Sequence, residues 1–285
     1  MTSTEQYSGG YSPQIIDQFK QRTFAKQGAF LQSCLAAGLT VLDCGCGPGS
    51  MTLDIAEIVS PGGQVFGIDS SPIQIEQALL LQKERGIANA SFTTGSAYLL
   101  PYADEQFDVV FAHAVLYHLL QPERALAEFW RVLKPGGLVA LRDACHSGDM
   151  MMPMSTHLAA AWAVIDKVFT YQGGNIYFGY QQKQRPLDQD FQNITVSCSY
   201  GTFASEAEKD SISDFWSQFL NIEHRQLILE QQWATAEELE QQCNALAEWS
   251  ANPASFLPGH AARLLPVNEA SVQHGFAVNG FASVC

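Results

Sequence analysis

The first half of the chain alternates short apolar runs with amphipathic stretches. Five runs have the length and apolar character of strands buried on both faces, and they cover residues 40–44, 64–69, 90–95, 107–112 and 138–143. The stretches around them show helical spacing and predict helices at residues 13–37, 50–59, 72–85 and 121–133. Strands that alternate with helices predict an α/β protein with a doubly wound, mostly parallel sheet. Its ligand is expected at the carboxyl ends of the strands.

The alternation stops after about residue 144. Residues 157–171 predict a helix, residues 191–200 a strand, and residues 205–249 two helical pieces that meet near residues 231–232. About the last thirty residues are rich in Pro, Gly and small side chains and yield no assignment. We therefore expect one compact domain with three parts, which are an N-terminal lid or helix (1–37), a ligand-binding core (38–145) and a mainly helical substrate-covering insertion with a sixth strand and a C-terminal region (146–285).

Composition narrows the class of ligand. The chain has 285 residues, a formal net charge of −14 and no run of Lys or Arg. That charge argues against nucleic acid or an anionic membrane as the main partner and leaves small neutral or cationic molecules. The sequence shows neither a signal peptide nor a run of about 20 apolar residues. With seven irregularly spaced cysteines, this predicts a cytoplasmic protein with reduced thiols.

A glycine-rich stretch, VLDCGCGPGSM, follows the first predicted strand. It departs from the dinucleotide fingerprint G-x-G-x-x-G, because Ser50 stands where the third glycine belongs. Pro48 removes one backbone N–H that a phosphate would need. Asp43 would repel a phosphate and attract a cation. Cys44 and Cys46 lack a nearby Cys or His partner, so no metal site is predicted.

Five segments in order resemble the class I S-adenosylmethionine-dependent methyltransferases, in particular the quinone-biosynthesis branch. They are Asp43 to Gly49, Asp69, Gly95-Ser96-Ala97, FDVVFAHAVLYHL and RVLKPGG, and the resemblance covers about residues 38 to 143. It implies a Rossmann-like methyltransferase fold and S-adenosyl-L-methionine as the cofactor. The methyl acceptor would be small, with an apolar or aromatic body.

The resemblance also implies which residues bind the cofactor. Asp69 would bind the ribose hydroxyls, and Ser70 and Ile73 would border the adenine. Ser96 stands where the family usually has an acid, so that adenine contact should be neutral, with the backbone N–H of Ala97 still in reach. The full implied set is Asp43, Gly45, Cys46, Gly47, Asp69, Ser70, Ile73, Ser96, Ala97, Ala112, His113 and Tyr11.

Two histidines are candidate general bases. His113 lies just past the fourth strand and His146 follows the fifth. A base would be needed for a hydroxyl, thiol or ammonium acceptor, whereas a free amine or an activated carbon needs none. Asp143 is either a third candidate base or the partner of Arg142.

The segment before the first strand also offers site residues. Tyr7, Tyr11 and Arg22 either cover the cofactor as a lid or pack a helix. His118 is expected to have a structural role.

The sequence thus predicts a methyltransferase that works by in-line displacement, as a monomer or a homodimer. Two alternatives stay open. One is a catalytically silent regulatory protein of the same fold that binds the cofactor, which the missing acid at Ser96 favours slightly. The other is a nicotinamide-dependent dehydrogenase.

Overall fold

The computed structural model describes residue 7 and residues 9–10, 12–146 and 151–267. Seven strands form one sheet in the order β3-β2-β1-β4-β5-β7-β6. Strands β1 to β5 are parallel to one another, and β7 is antiparallel to both β5 and β6. The strand bounds are Thr40–Cys44 (β1), Gln64–Asp69 (β2), Ala90–Thr94 (β3), Phe107–His113 (β4), Leu133–Ala144 (β5), Gln192–Phe203 (β6) and Leu257–Val267 (β7). The predicted doubly wound, mostly parallel sheet is confirmed.

Helices cover the sheet and form a separate cluster beside it. Their bounds are Pro13–Lys20 (α1), Phe24–Gln27 (α2), Ser50–Ile58 (α3), Pro72–Arg85 (α4), Pro122–Val132 (α5), Thr156–Tyr171 (α6), Gln184–Leu187 (α7), Glu206–Gln218 (α8), Arg225–Glu230 (α9) and Ala236–Ala251 (α10). Short 3₁₀ helices cover Ala29–Cys34, Leu116–His118 and Phe178–Gln181, and one π-helical turn covers Phe219–Glu223. In the part of the chain described, no helix has both the length and the apolar character of a membrane span.

The core has two layers around the sheet and a third cluster among the later helices. Val110 and Phe111 of β4 are fully buried and contribute to opposite layers, as expected of a central parallel strand. The third cluster joins α6, α8 and α10, with Phe219 and Trp216 at its centre. The helical region beyond β5 therefore has its own apolar core.

The long helix predicted for residues 13–37 is wrong. The chain leaves helical geometry after Lys20 and is extended at Thr23, where φ is −121° and ψ is 147°. The backbone N–H of Phe24 then donates to Asp54 Oδ2 at 2.8 Å, and the Phe24 ring is buried. The amphipathic pattern was real, but burial of Phe24 against α3 breaks the helix into three short pieces.

Two further differences concern the end of the sheet. The turn predicted at Lys134 to Gly137 is a bulge inside β5, because Phe107 pairs with Leu133 and Val109 pairs with Leu138. The chain after residue 256, for which the sequence predicts no element, forms β7 up to Val267.

The interruption predicted near residues 231–232 is confirmed, since α9 ends at Glu230 and α10 begins at Ala236.

Candidate functional site

A cavity of about 170 Å³ lies at the carboxyl ends of β1, β2 and β4. Strand β1 has β2 on one side and β4 on the other, so the cavity lies where the strand order reverses. Four parts of the sheet edge contribute to its wall, and the N-terminal segment covers it with Tyr7, Phe19 and Arg22. The sheet-edge residues are Cys44 to Met51 except Gly49, Ile68 to Ser70, Gly95 to Tyr98, and His113 to Val115.

The glycine loop between β1 and α3 presents bare backbone to this cavity. Gly45, Gly47 and Gly49 all have left-handed φ angles, of 77°, 53° and 80°. A Cβ at Gly45 would lie 2.3 Å from the side chain of Val115, and one at Gly49 would lie 2.8 Å from that of Ala78. A Cβ at Gly47 would meet nothing within 4 Å. Gly45 and Gly49 are thus required by packing, whereas Gly47 leaves open space on the ligand side.

Asp69 connects the loop to the end of β2. Its Oδ2 accepts the backbone N–H of Gly47 and its Oδ1 accepts that of Ser71, both at 2.9 Å. Burial nevertheless raises the pKa of the Asp69 carboxyl, because it outweighs these hydrogen bonds. A carboxylate offers about four lone pairs, so Asp69 can hold the loop and still accept a hydrogen bond from a ligand hydroxyl.

Asp43 lies behind the cavity wall rather than in it. The Thr52 hydroxyl donates to Asp43 Oδ2 at 2.6 Å, and only 1% of Asp43 is exposed. Burial first, and the charge of Asp69 in addition, raise the pKa of Asp43 to about 7. A cationic ligand in the cavity would therefore promote ionisation of Asp43.

The two cysteines of the loop are buried thiols. Burial and the neighbouring carboxylates raise the pKa of both Cys44 and Cys46, so neither is a thiolate. Within the described ranges, no group of His, Cys, Asp and Glu could hold a metal ion.

His113 ends β4 and touches Arg142 of β5. His113 Nε2 lies 2.6 Å from Arg142 Nη1. A guanidinium can only donate, so Nε2 accepts and the ring proton is assigned to Nδ1. Burial, together with the guanidinium groups of Arg22 and Arg142, lowers the pKa of His113 well below its usual range. The ring is therefore neutral at pH 7, and its basic nitrogen is occupied by Arg142.

Asp143 anchors the loop after β4. Its Oδ1 accepts the backbone N–H of Val115 at 3.0 Å and of Tyr117 at 3.4 Å, while its Oδ2 accepts from Gln182 Nε2 at 3.0 Å. Burial raises the pKa of Asp143 to about 6. Asp143 thus holds the loop that lines the cavity.

Most of the residues implied by the resemblance meet at one place. Gly45, Cys46, Gly47, Asp69, Ser70, Ser96, Ala97 and His113 all line the cavity. Ile73 is 49% exposed, Ala112 is buried in the sheet, and neither is in the wall. His146 lies apart and packs among the rings of Tyr117, Trp162 and Trp216. Tyr11 lies outside the described residues.

Gln74, in the first turn of α4, is a site residue that the sequence did not predict. This side chain is 2% exposed and lines the cavity, and its Oε1 has no hydrogen-bond partner among the described residues. A buried amide oxygen without a donor costs about 1–3 kcal/mol, so a ligand amino group at this point would be stabilising. The signal available was a polar residue in the first helical turn after Asp69, the residue that ends the second predicted strand.

Comparison with known proteins gives a consistent result. Residues 35–193 match the family described as Methyltransferase domain. A protein of Schizosaccharomyces pombe, named as an uncharacterized methyltransferase, is 38% identical over 224 residues, which are 74% of this chain and 78% of that one. Demethylmenaquinone methyltransferase of Lactococcus lactis is 36% identical over 131 residues, which are 46% of this chain and 52% of that one.

Among solved structures, the same fold occurs in phosphoethanolamine N-methyltransferase 2 of Haemonchus contortus in complex with S-adenosyl-L-methionine. The TM-score is 0.54 at 17% sequence identity, and the match covers 86% of this chain and 52% of that one. The match therefore covers about half the length of the Lactococcus lactis protein and about half the length of the Haemonchus contortus protein.

Proposed function

We propose, since the chain belongs to the S-adenosylmethionine-dependent methyltransferase family, that it transfers a methyl group to a small acceptor with an apolar or aromatic body. The observation that carries the proposal is that the Gly47 backbone, Asp69, Ser96 and the end of β4 all line one cavity. When bound, S-adenosyl-L-methionine supplies a methyl group on a positively charged sulfur, which a nucleophile can displace.

The residues present fit this cofactor. Gly47 offers open space beside bare backbone, and Asp69 has lone pairs left for the ribose hydroxyls. The orphaned Gln74 Oε1 is suited to accept from the adenine amino group. That contact would take over the role of the family acid, which Ser96 lacks, and the Ala97 backbone N–H would complete the adenine site.

In this proposal the acceptor lies against the apolar and aromatic part of the wall. Phe19 and Leu119 contribute to that part, and Arg22 lies over the Phe19 ring at 4.2 Å. His118 is buried there between aromatic rings, and burial lowers its pKa to about 3, so it is neutral. Such walls exclude water and favour a flat apolar body.

Alignment supplies most of the catalysis in this proposal. Holding a nucleophile in line with the methyl group is worth about 7–11 kcal/mol. His113 and His146 remain the candidate bases for a hydroxyl, thiol or ammonium acceptor. For His113 that role requires Arg142 to leave Nε2. An activated carbon or a free amine would need neither histidine.

The test measures transfer of a radiolabelled methyl group from S-adenosyl-L-methionine to a panel of phenols, aryl thiols and arylalkyl amines. We expect turnover with at least one of them, and loss of turnover in Asp69→Ala but not in the exposed control Asp17→Asn. Calorimetric binding of S-adenosylhomocysteine without any turnover would favour the silent regulatory alternative. Heat protection by NADH, with none by S-adenosylhomocysteine, would favour the dehydrogenase.

A further inference from the structure

Arg22 places a cation in the wall of the cofactor cavity. It follows α1, which ends at Lys20, and its side chain is half-buried. Its guanidinium carbon lies 4.2 Å from the centroid of the Phe19 ring, which lines the same cavity. A contact with an aromatic ring gives the five N–H donors of a guanidinium no oxygen acceptor. Arg22 therefore brings both a positive charge and hydrogen-bond donors to the cavity.

Arg22 has no counter-ion in the part of the chain that the structure describes. No carboxylate there pairs with it, and no oxygen accepts a hydrogen bond from its guanidinium. The two carboxylates at the cavity are engaged elsewhere, Asp43 with a buried hydroxyl and Asp69 with backbone N–H groups. Arg85 and Arg131, in contrast, each pair with two carboxylates. In a chain with 29 acidic and 15 basic residues, the lack of a partner is particular to this position.

The titratable groups on which the charge of Arg22 acts are neutral. They are His113, Tyr117 and His118, and both histidines line the cavity together with Arg22. Burial first, and then the charge of Arg22, lowers the pKa of both histidines, while burial raises the pKa of Tyr117. None of the three is therefore charged at pH 7. A half-buried cation among neutral groups lacks a charge that offsets its partial desolvation, and a bound anion would supply it.

The planar fork of a guanidinium matches a carboxylate, with which it forms two parallel hydrogen bonds. We propose that Arg22 binds a carboxylate of a molecule held in this cavity. Two molecules can supply that group: S-adenosyl-L-methionine, through the carboxylate of its amino-acid end, or a methyl acceptor that is itself an acid. The first source rests only on the family of the chain, whereas the second rests on the proposed methyl transfer.

This assignment gives the cavity two electrostatic ends. Asp69 lines it at the end of β2 with Asp43 buried behind the wall, and Arg22 approaches it from the N-terminal segment. A phosphate carries up to two negative charges and would be repelled by these carboxylates more strongly than a carboxylate, which carries one. Because Arg22 belongs to the segment that covers the cavity, its contact would also tie the cover to the bound molecule.

The first experiment compares S-adenosylhomocysteine with its decarboxylated analogue, which keeps the amino group, the sulfur and the adenosine. Calorimetry measures both dissociation constants for the wild type and for Arg22→Gln, which removes the charge and keeps a polar side chain. If the cofactor supplies the carboxylate, the wild type binds S-adenosylhomocysteine at least about tenfold more tightly than the analogue, which corresponds to about 1.4 kcal/mol. In Arg22→Gln the ratio falls to near one, because only the affinity for S-adenosylhomocysteine drops.

Two further variants separate the guanidinium from general effects of charge and folding. Lys26→Gln removes one positive charge from an exposed position of α2 outside the cavity wall, so it is the matched control and keeps the wild-type ratio. Arg22→Lys keeps the charge but loses the fork, so its ratio is intermediate. Unchanged binding of the decarboxylated analogue to Arg22→Gln shows that this variant is folded.

The second experiment asks whether the acceptor supplies the carboxylate. In the presence of saturating S-adenosylhomocysteine, ligand-observed NMR compares 3-phenylpropanoate with 3-phenylpropanamide, which has nearly the same size and no charge. A preference of at least about tenfold for the acid in the wild type, lost in Arg22→Gln and kept in Lys26→Gln, assigns the contact to the acceptor.

The inference is overturned if the wild type prefers the carboxylate in neither experiment, or if every such preference survives in Arg22→Gln. Both experiments measure binding, so their results are independent of turnover. If no acceptor is methylated while a carboxylate preference depends on Arg22, the proposed methyl transfer fails and the carboxylate site stands.

Discussion

Replacing Asp43 with Asn should stabilise the cofactor-free protein increasingly as the pH rises. Burial, with the charge of Asp69, raises the pKa of Asp43 from 3.8 to about 7. One pKa unit is worth about 1.4 kcal/mol. Above pH 7, ionisation of Asp43 therefore lowers the free energy of unfolding by about 4 kcal/mol, compared with a side chain that stays neutral. The variant keeps an oxygen for the Thr52 hydroxyl, and its unpaired amide N–H costs about 1–3 kcal/mol in return.

The pH dependence isolates this effect from the cost of the amide. Because the folded pKa lies above the unfolded one, the wild type loses stability as the pH rises from about 4 to about 7 and then no further. The difference in unfolding free energy, variant minus wild type, should therefore grow by about 2–3 kcal/mol between pH 5 and pH 8. The contribution of Asp143, whose raised pKa is also due to burial, cancels in that difference.

Urea unfolding of both proteins at pH 5 and pH 8 measures the difference. Asp17→Asn, which removes the charge of a side chain that is 69% exposed, is the matched control. Calorimetry adds a second measurement. The affinity of wild type for S-adenosylhomocysteine, which carries a cationic amino group, should rise with pH up to about 7 and stay flat in the variant. A pH-independent stability difference, or an equal pH slope of binding in both proteins, would refute the reasoning.

The remaining predictions concern the cavity wall. Asp69→Ala should weaken binding of S-adenosylhomocysteine by about 2–4 kcal/mol, and an unchanged dissociation constant would contradict the ribose assignment. Ser96→Asp should tighten that binding or leave it unchanged, and a clear loss by calorimetry would mean a different adenine pocket. Gln74→Leu should weaken it about fivefold or more while thermal stability is kept, since its Oε1 has no partner to lose. Gly45→Ala should lower unfolding free energy by at least about 1 kcal/mol more than Gly47→Ala, because only the former meets a side chain.

The parallel half of the sheet was predictable because each strand is a short apolar run between clear helix signals. Strand β2 has the predicted bounds, Gln64–Asp69, and helix α4 begins at Pro72 and ends before Gly86 as expected. Such strands are buried on both faces, so local composition and tertiary position agree. The glycine loop was predictable because its three left-handed positions all carry glycine, which the sequence displays directly.

Strand β7 was not predictable, because its sequence favours turns. LPGHAARLLPV contains Pro258, Gly259 and Pro266, residues that are rare inside central strands. Its backbone nevertheless pairs with β5 on one side and β6 on the other. Pairing from both sides, between segments distant in the sequence, overrides local preference here.

The chemical state of His113 depends on a neighbour that sequence spacing does not reveal. Strands β4 and β5 are parallel, and their register places His113 directly opposite Arg142. Residues opposite each other in a sheet share a face, so the guanidinium reaches the imidazole and occupies Nε2 at 2.6 Å. The same register places Asp143 one residue further on, below the loop that it anchors through Val115. A histidine at the end of a central strand can act as a base only if the next strand leaves its basic nitrogen free, and here Arg142 occupies the lone pair of Nε2 that a base would need.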